Sequence, residues 1–142
     1  MTYEEWFKSQ AKLHKTIMNK LNDKSIGEII EYFRYENMKI NEPDFCPLYK
    51  KNKKCHEMEN LNCYLCACPY FVFNDNGILK QNEKTLYSFC SINSKNGSTF
   101  EGEDYIHHDC SNCTIPHKEK FIKKRFNKDW LEIMKNVLIN KL

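Results

Sequence analysis

Eight cysteines fall between Cys46 and Cys113 of this 142-residue chain. Such a density marks a scaffold held by disulfides or by metal as much as by an apolar core. The even count admits a disulfide framework, which needs an oxidising compartment. The opening run Met1-Thr2-Tyr3-Glu4-Glu5 is polar and acidic, so no signal peptide is expected. The expectation is therefore reduced thiols in a cytoplasmic setting, most of them metal ligands. No apolar run approaches the roughly 18 residues of a membrane span, so none is expected.

The ligand-capable residues run Cys46, Cys55-His56, Cys63-x-x-Cys66-x-Cys68-Pro69, Cys90, His107-His108, Cys110-x-x-Cys113 and His117. Cys-x-x-Cys spacing lets two thiolates converge on one tetrahedral ion. Two such pairs, with four further cysteines and flanking imidazoles, point to metal. Eight cysteines plus His56 and His117 exceed one four-coordinate site, so two closed sites are the economical count. One natural division joins Cys63, Cys66, Cys110 and Cys113, leaving Cys46, Cys55 or His56, Cys68, Cys90 and His117 for the second. Interleaved sites are an equal alternative. Zinc suits thiolates mixed with imidazole, and two zinc ions are the first expectation. A [4Fe–4S] cluster is the alternative, since Cys68-Pro69 has the Cys-Pro ending of cluster-binding runs, although the spacing departs from theirs.

Three stretches carry a family resemblance: Cys55-His56, Asn62-Cys63-x-x-Cys66-x-Cys68-Pro69-Tyr70, and Asp109-Cys110-Ser111-Asn112-Cys113-x-x-Pro116-His117. They resemble the cysteine-rich small domain family, a zinc-finger-like, metal-binding group of bacteria and archaea, and hence of prokaryotic origin. The resemblance spans Cys46 to His117, about half of the chain. It implies metal binding through Cys46, Cys55, His56, Cys63, Cys66, Cys68, Cys90, Cys110, Cys113 and His117, and implies little about activity. The chain departs from the family at Cys90-Ser91-Ile92, where Gly-Gly would follow the cysteine.

Charge divides the chain into three parts. Residues 1–45 and 46–117 each carry net −1, and residues 118–142 carry net +5. The first part reads as two helices, each opened by a capping box, Thr2-Tyr3-Glu4-Glu5 and Ser25-Ile26-Gly27-Glu28. Trp6, Phe7, Leu13, His14, Ile17, Met18 and Leu21 recur at helical spacing in the first, and Ile26, Ile29, Ile30 and Phe33 in the second. The last part reads as one basic amphipathic helix, with Phe121, Ile122, Phe126, Trp130, Ile133, Met134, Val137 and Leu138 on its apolar side. The middle part is rich in turn signals. Phe71-Val72-Phe73 and Ile78-Leu79 read as a hairpin around Asn74-Asp75-Asn76-Gly77, Thr85 to Phe89 as one strand, and Asn93 to Gly102 as a loop. The expected class is α+β: a small irregular Cys-rich core with short hairpins, flanked by two N-terminal helices and one C-terminal helix, in one unit.

Composition tempers the basic segment. Lys outnumbers Arg 20 to 2, with 16 Asn and only 2 Ala, the pattern of AT-rich codons. Readers of nucleic acid favour the bidentate Arg fork. The expected partner is a protein, with RNA or another anionic surface as a second option through Lys120, Lys123, Lys124 and Arg125.

Enzyme signatures are wanting. There is no Gly-rich phosphate loop and no His-Glu-x-x-His. His56-Glu57-Met58 misplaces the Glu of a zinc deaminase, and Asn62 stands where its Pro precedes Cys-x-x-Cys. Three readings stay open: a two-zinc scaffold for a macromolecular partner, an iron–sulfur protein for electron transfer or redox sensing, and a small zinc enzyme with an open position. In the last, His107, His108, Asp109 or Glu57 would assist.

Overall fold

The computed structural model describes residues 2–138; Met1 and the last four positions of the expected C-terminal helix, 139–142, lie outside the described residues. The class is α+β, with helices at both ends of the chain and small sheets between them.

Helix α1 (Tyr3–Lys20) and helix α2 (Ile26–Tyr32) both begin at the capping boxes read from sequence. Thr2 Oγ1 accepts from the Glu5 amide at 3.1 Å, and the Glu5 carboxylate accepts from the Thr2 amide at 3.1 Å. These caps are i,i+3 contacts, so sequence alone suffices to place them. The buried stripe of α1 is narrower than periodicity suggested. It runs Phe7, Gln10, His14 and Ile17, while Trp6 and Leu13 turn to the exposed edge.

The second N-terminal helix is two helices. Arg34 leaves α2 in an extended conformation, and α3 (Tyr35–Asn41) follows at once. The break has a long-range cause. Arg34 forms an antiparallel bridge with Asn62, the Cys63 amide donates to the Phe33 carbonyl at 2.8 Å, and the Tyr35 amide donates to the Leu61 carbonyl at 3.0 Å. Pairing with a distant segment replaces the local helical bonds.

The single C-terminal helix is likewise corrected to two short ones, α4 (Glu119–Arg125) and α5 (Trp130–Ile133). Phe126 is extended, and Asp129 caps α5 by accepting from the Leu131 amide at 3.1 Å. The Tyr64 hydroxyl donates to the Asn127 carbonyl at 2.6 Å, fixing the break against the core. Ile122, Trp130, Ile133, Met134, Val137 and Leu138 are all buried despite that break.

The strands pair across longer distances than the turn signals implied. Strand β1 (Phe71–Phe73) pairs with β4 (Ser88–Cys90), not with Ile78-Leu79. Strand β2 (Lys80–Gln81) pairs with β3 (Lys84–Leu86) around Asn82 and Glu83, whose φ values of 53° and 67° suit a primed hairpin turn. The expected strand Thr85–Phe89 is interrupted at Tyr87, where the chain passes from one sheet to the other. The expected loop from Asn93 to Gly102 contains β5 (Ser98–Glu101), which pairs with β6 (Tyr105–Asp109). The four-stranded sheet has the order β2-β3-β6-β5, with β3 and β6 parallel.

One apolar cluster draws on all three parts of the chain, including Phe7, Ile29, Phe33, Tyr64, Ile122 and Trp130. His14 sits inside it, 1% exposed, stacked 5.0 Å from Phe33 and 5.6 Å from Trp130. Its Nε2 has no protein partner. Burial pushes its pKa from 6.5 down to about 3. The unfolded chain therefore binds the proton first, and stability falls as pH drops from 6.5 toward 3. H14F removes this dependence. Urea midpoints should show the native protein losing about 1–2 kcal/mol relative to H14F between neutral pH and about pH 5. A constant difference across that range would refute the assignment.

Candidate metal centre

All eight cysteines are free thiols, and they gather into two groups. The thiols that act on Cys66 are those of Cys63, Cys46 and Cys55. Those that act on Cys110 belong to Cys68, Cys113 and Cys90. The first four cysteines in the chain thus form one group and the last four the other. The two Cys-x-x-Cys pairs thus fall in different groups, whereas the expected division joined Cys63, Cys66, Cys110 and Cys113. The boundary is a single residue, Ala67, held at φ 76°. An L-residue in that region is strained, and here it turns Cys66 and Cys68 toward different groups.

The first group lines a small cavity of about 40 Å³, together with His117, Tyr49 and Leu61. His117 Nδ1 lies 2.8 Å from the Asn62 carbonyl. A carbonyl only accepts, so Nδ1 carries the proton and Nε2 presents a lone pair. That Nε2 is 3.6 Å from Cys55 Sγ. His56 repeats the arrangement in mirror form. Its Nε2 is 2.9 Å from the Cys110 carbonyl, and its free Nδ1 is 3.1 Å from Cys55 Sγ. The ligand atoms of Cys55, His56 and His117 all lie within 4.8 Å of one another. One thiol proton satisfies only one of the two imidazoles, whereas a cation satisfies both, so this donor set fits a metal ion.

Electrostatics agrees with that fit. Burial pushes Cys63 and Cys110 up to about 12 and Cys68 up to about 11, and drives Cys66 up as well. Buried thiols stay protonated until a cation compensates the thiolate. Burial also holds His117 down at about 4, which keeps it a neutral ligand. The buried Tyr49 hydroxyl makes no hydrogen bond of ordinary geometry, and the thiols acting on it are those of Cys63, Cys46 and Cys66. A thiolate there would give that orphaned donor an acceptor.

Asn62 positions the centre, a role that motif spacing did not expose. Its amide donates to the His117 carbonyl at 3.2 Å, and its own carbonyl accepts from His117. Its side chain accepts from the Tyr64 amide at 2.9 Å and donates to the Ile30 carbonyl at 2.8 Å and to Glu119 at 3.1 Å. Glu119 in turn receives a bidentate pair from Arg34, at 2.8 and 3.1 Å. An Asn directly before a Cys-x-x-Cys was the only sequence hint of this hub.

The second group carries donors to sulfur. The Tyr70 amide lies 3.4 Å from Cys68 Sγ, the Ser94 amide 3.5 Å from Cys90 Sγ, and Ser94 Oγ 3.3 Å from Cys113 Sγ. After Cys90-Ser91-Ile92 the left-handed residue of the turn is Asn93, at φ 48°. Asp109 is taken up by a turn, accepting from the Ser111 amide at 2.8 Å. His107 Nδ1 lies 2.7 Å from the Tyr3 hydroxyl. The ring of His108 fits beside Gly97, where a Cβ would come within 2.6 Å of it.

Of the basic residues, Lys120, Lys123 and Lys124 are exposed. Arg125 is engaged with the core, donating to the Tyr70 hydroxyl at 3.0 Å with its guanidinium over that ring. Among the described residues no helix is long and apolar enough to cross a membrane.

Comparison with family models, curated proteins and solved structures gave no match.

N62A should destabilise the protein by about 2–4 kcal/mol, because it strands the Tyr64 amide and the Ile30 carbonyl in the core. E119Q, which leaves those two bonds intact, should cost roughly 1–2 kcal/mol. Denaturant midpoints check the order, and equal costs would refute the hub.

Proposed function

We propose that this protein binds metal through its cysteines and histidines, and that its first centre holds a structural zinc. The observation that carries the reading is the pair of imidazoles, His56 and His117, each pinned at one nitrogen by a carbonyl and each turning the other to Cys55 Sγ. Zinc accepts mixed thiolate and imidazole sets, and such sites contribute folding energy. Cys46, Cys63 and Cys66 supply further donors around the same small cavity. Candidate ligands outnumber four positions, so the site closes without a place for water, which favours a structural role over a catalytic one.

The proposed role is a scaffold that presents helices to a macromolecular partner. Zinc would tie the segment after α3 to the Asn62–Cys66 turn and to His117, just ahead of α4. The exposed Lys120, Lys123 and Lys124 on α4 then offer a cationic contact for an acidic protein surface.

Native mass spectrometry of protein purified under reducing conditions tests the reading, with zinc bound and Cys63 protected from alkylation. Zinc affinity should climb with pH, because binding must displace protons from thiols whose pKa burial has raised. Chelation should abolish the near-UV circular dichroism of the buried tyrosines. An unchanged spectrum after complete metal removal refutes the structural role. C63S should lose zinc and several kcal/mol of stability.

A further inference from the structure

The two thiol groups differ in kind. The first is mixed: its four thiols and His117 line a cavity of about 40 Å³, and His56 joins them at Cys55. The second is four thiols, Cys68, Cys90, Cys110 and Cys113, lining an open-sided cavity of about 420 Å³. One ion cannot account for that space. Cys55, Cys66 and both site imidazoles also line this cavity. His56 lies between the groups, giving its Nε2 proton to the Cys110 carbonyl of the second and its lone pair to Cys55 of the first.

Tetrahedral zinc with Zn–S near 2.3 Å brings its sulfurs to roughly 4 Å of one another. Among the described residues, the set that converges within 4.8 Å is Cys55, His56 and His117; no three second-group thiols come that close together, and Cys46, Cys63 and Cys66 stand outside the set as well. A cubane cluster carries its irons at the corners and spreads four thiolates wider than one ion does. The cavity walls include Phe71, Ile92 and Pro116, and among the described residues no carboxylate lines it. The three hydrogen-bond contacts to Cys68, Cys90 and Cys113 are of the kind that set cluster potentials.

We infer that Cys68, Cys90, Cys110 and Cys113 ligate a [4Fe–4S] cluster, so that the chain carries two different metal centres separated by Ala67. The inference rests on the reading of the chain as a metal-binding protein and assigns the second centre within it. His56 then touches both centres, bonded to Cys55 in the first and to the Cys110 backbone in the second.

The test is metal and sulfide analysis of the full chain, expressed with iron and zinc and purified without oxygen. The expected result is about four iron and four sulfide per chain beside about one zinc. Broad visible absorbance should bleach on dithionite, with an electron paramagnetic resonance signal appearing. C68S and C110S should lose iron, sulfide and that signal while keeping zinc. Two zinc per chain without sulfide overturns the cluster and leaves the metal reading standing. No bound metal and eight freely alkylated thiols overturn both. Iron that persists unchanged in C68S and C110S overturns the ligand assignment. Should those variants fail to fold, the stoichiometry of the native chain decides by itself.

Discussion

The hydrogen bonds of Asn62 hold the molecule together across its three parts. The backbone of Asn62 clasps His117 from both sides, and its side chain reaches α2 through Ile30 and α4 through Glu119. It is fully buried, so each bond forms where water does not compete and an unmade partner would be costly. The Arg34–Glu119 pair extends the clasp outward, with Glu119 held below the ordinary carboxylate range chiefly by Arg34. The kink between α2 and α3, the Cys63 turn and the start of α4 all meet at this residue.

The proposed metal chemistry inherits that geometry. His117 presents Nε2 to Cys55 because its Nδ1 proton is taken by the Asn62 carbonyl. His56 presents Nδ1 because Cys110 takes its other proton. Backbone carbonyls thus select both tautomers. The raised thiols supply the other half of the logic, since an apolar setting makes four neighbouring thiolates untenable without a cation. Stability and metal occupancy are in this view one property: the segment from Cys46 to Cys66 has little regular structure besides one 3-10 turn at Tyr49–Lys51.

Much of the helical part was legible. Both capping boxes formed where Thr2 and Ser25 placed them, and the buried residues of the C-terminal segment kept their side even though their helix broke. The breaks themselves were not legible. Arg34 is extended because it pairs with Asn62, and Phe126 because Tyr64 holds the next carbonyl, and both partners lie far away in sequence. The sheets were read least well. Asn74 to Gly77 has the chemistry of a hairpin turn, yet Phe71–Phe73 finds its partner beyond a second hairpin, at Ser88–Cys90. Short strands carry too few alternating residues to announce a register.

Sequence by itself determined the inventory: eight cysteines and four histidines in one segment, a helical start and a basic end. Those are matters of residue type and i,i+3 spacing, which need no knowledge of the fold. Only tertiary structure decided how the thiols divide. Cys66 and Cys68 are separated by one residue and belong to different groups: at the left-handed turn of Ala67, Cys66 joins Cys46, Cys55 and Cys63 while Cys68 joins Cys90, Cys110 and Cys113. Proximity along a chain sets which ligands can share a site, but the long-range packing of strands and helices sets which ones do.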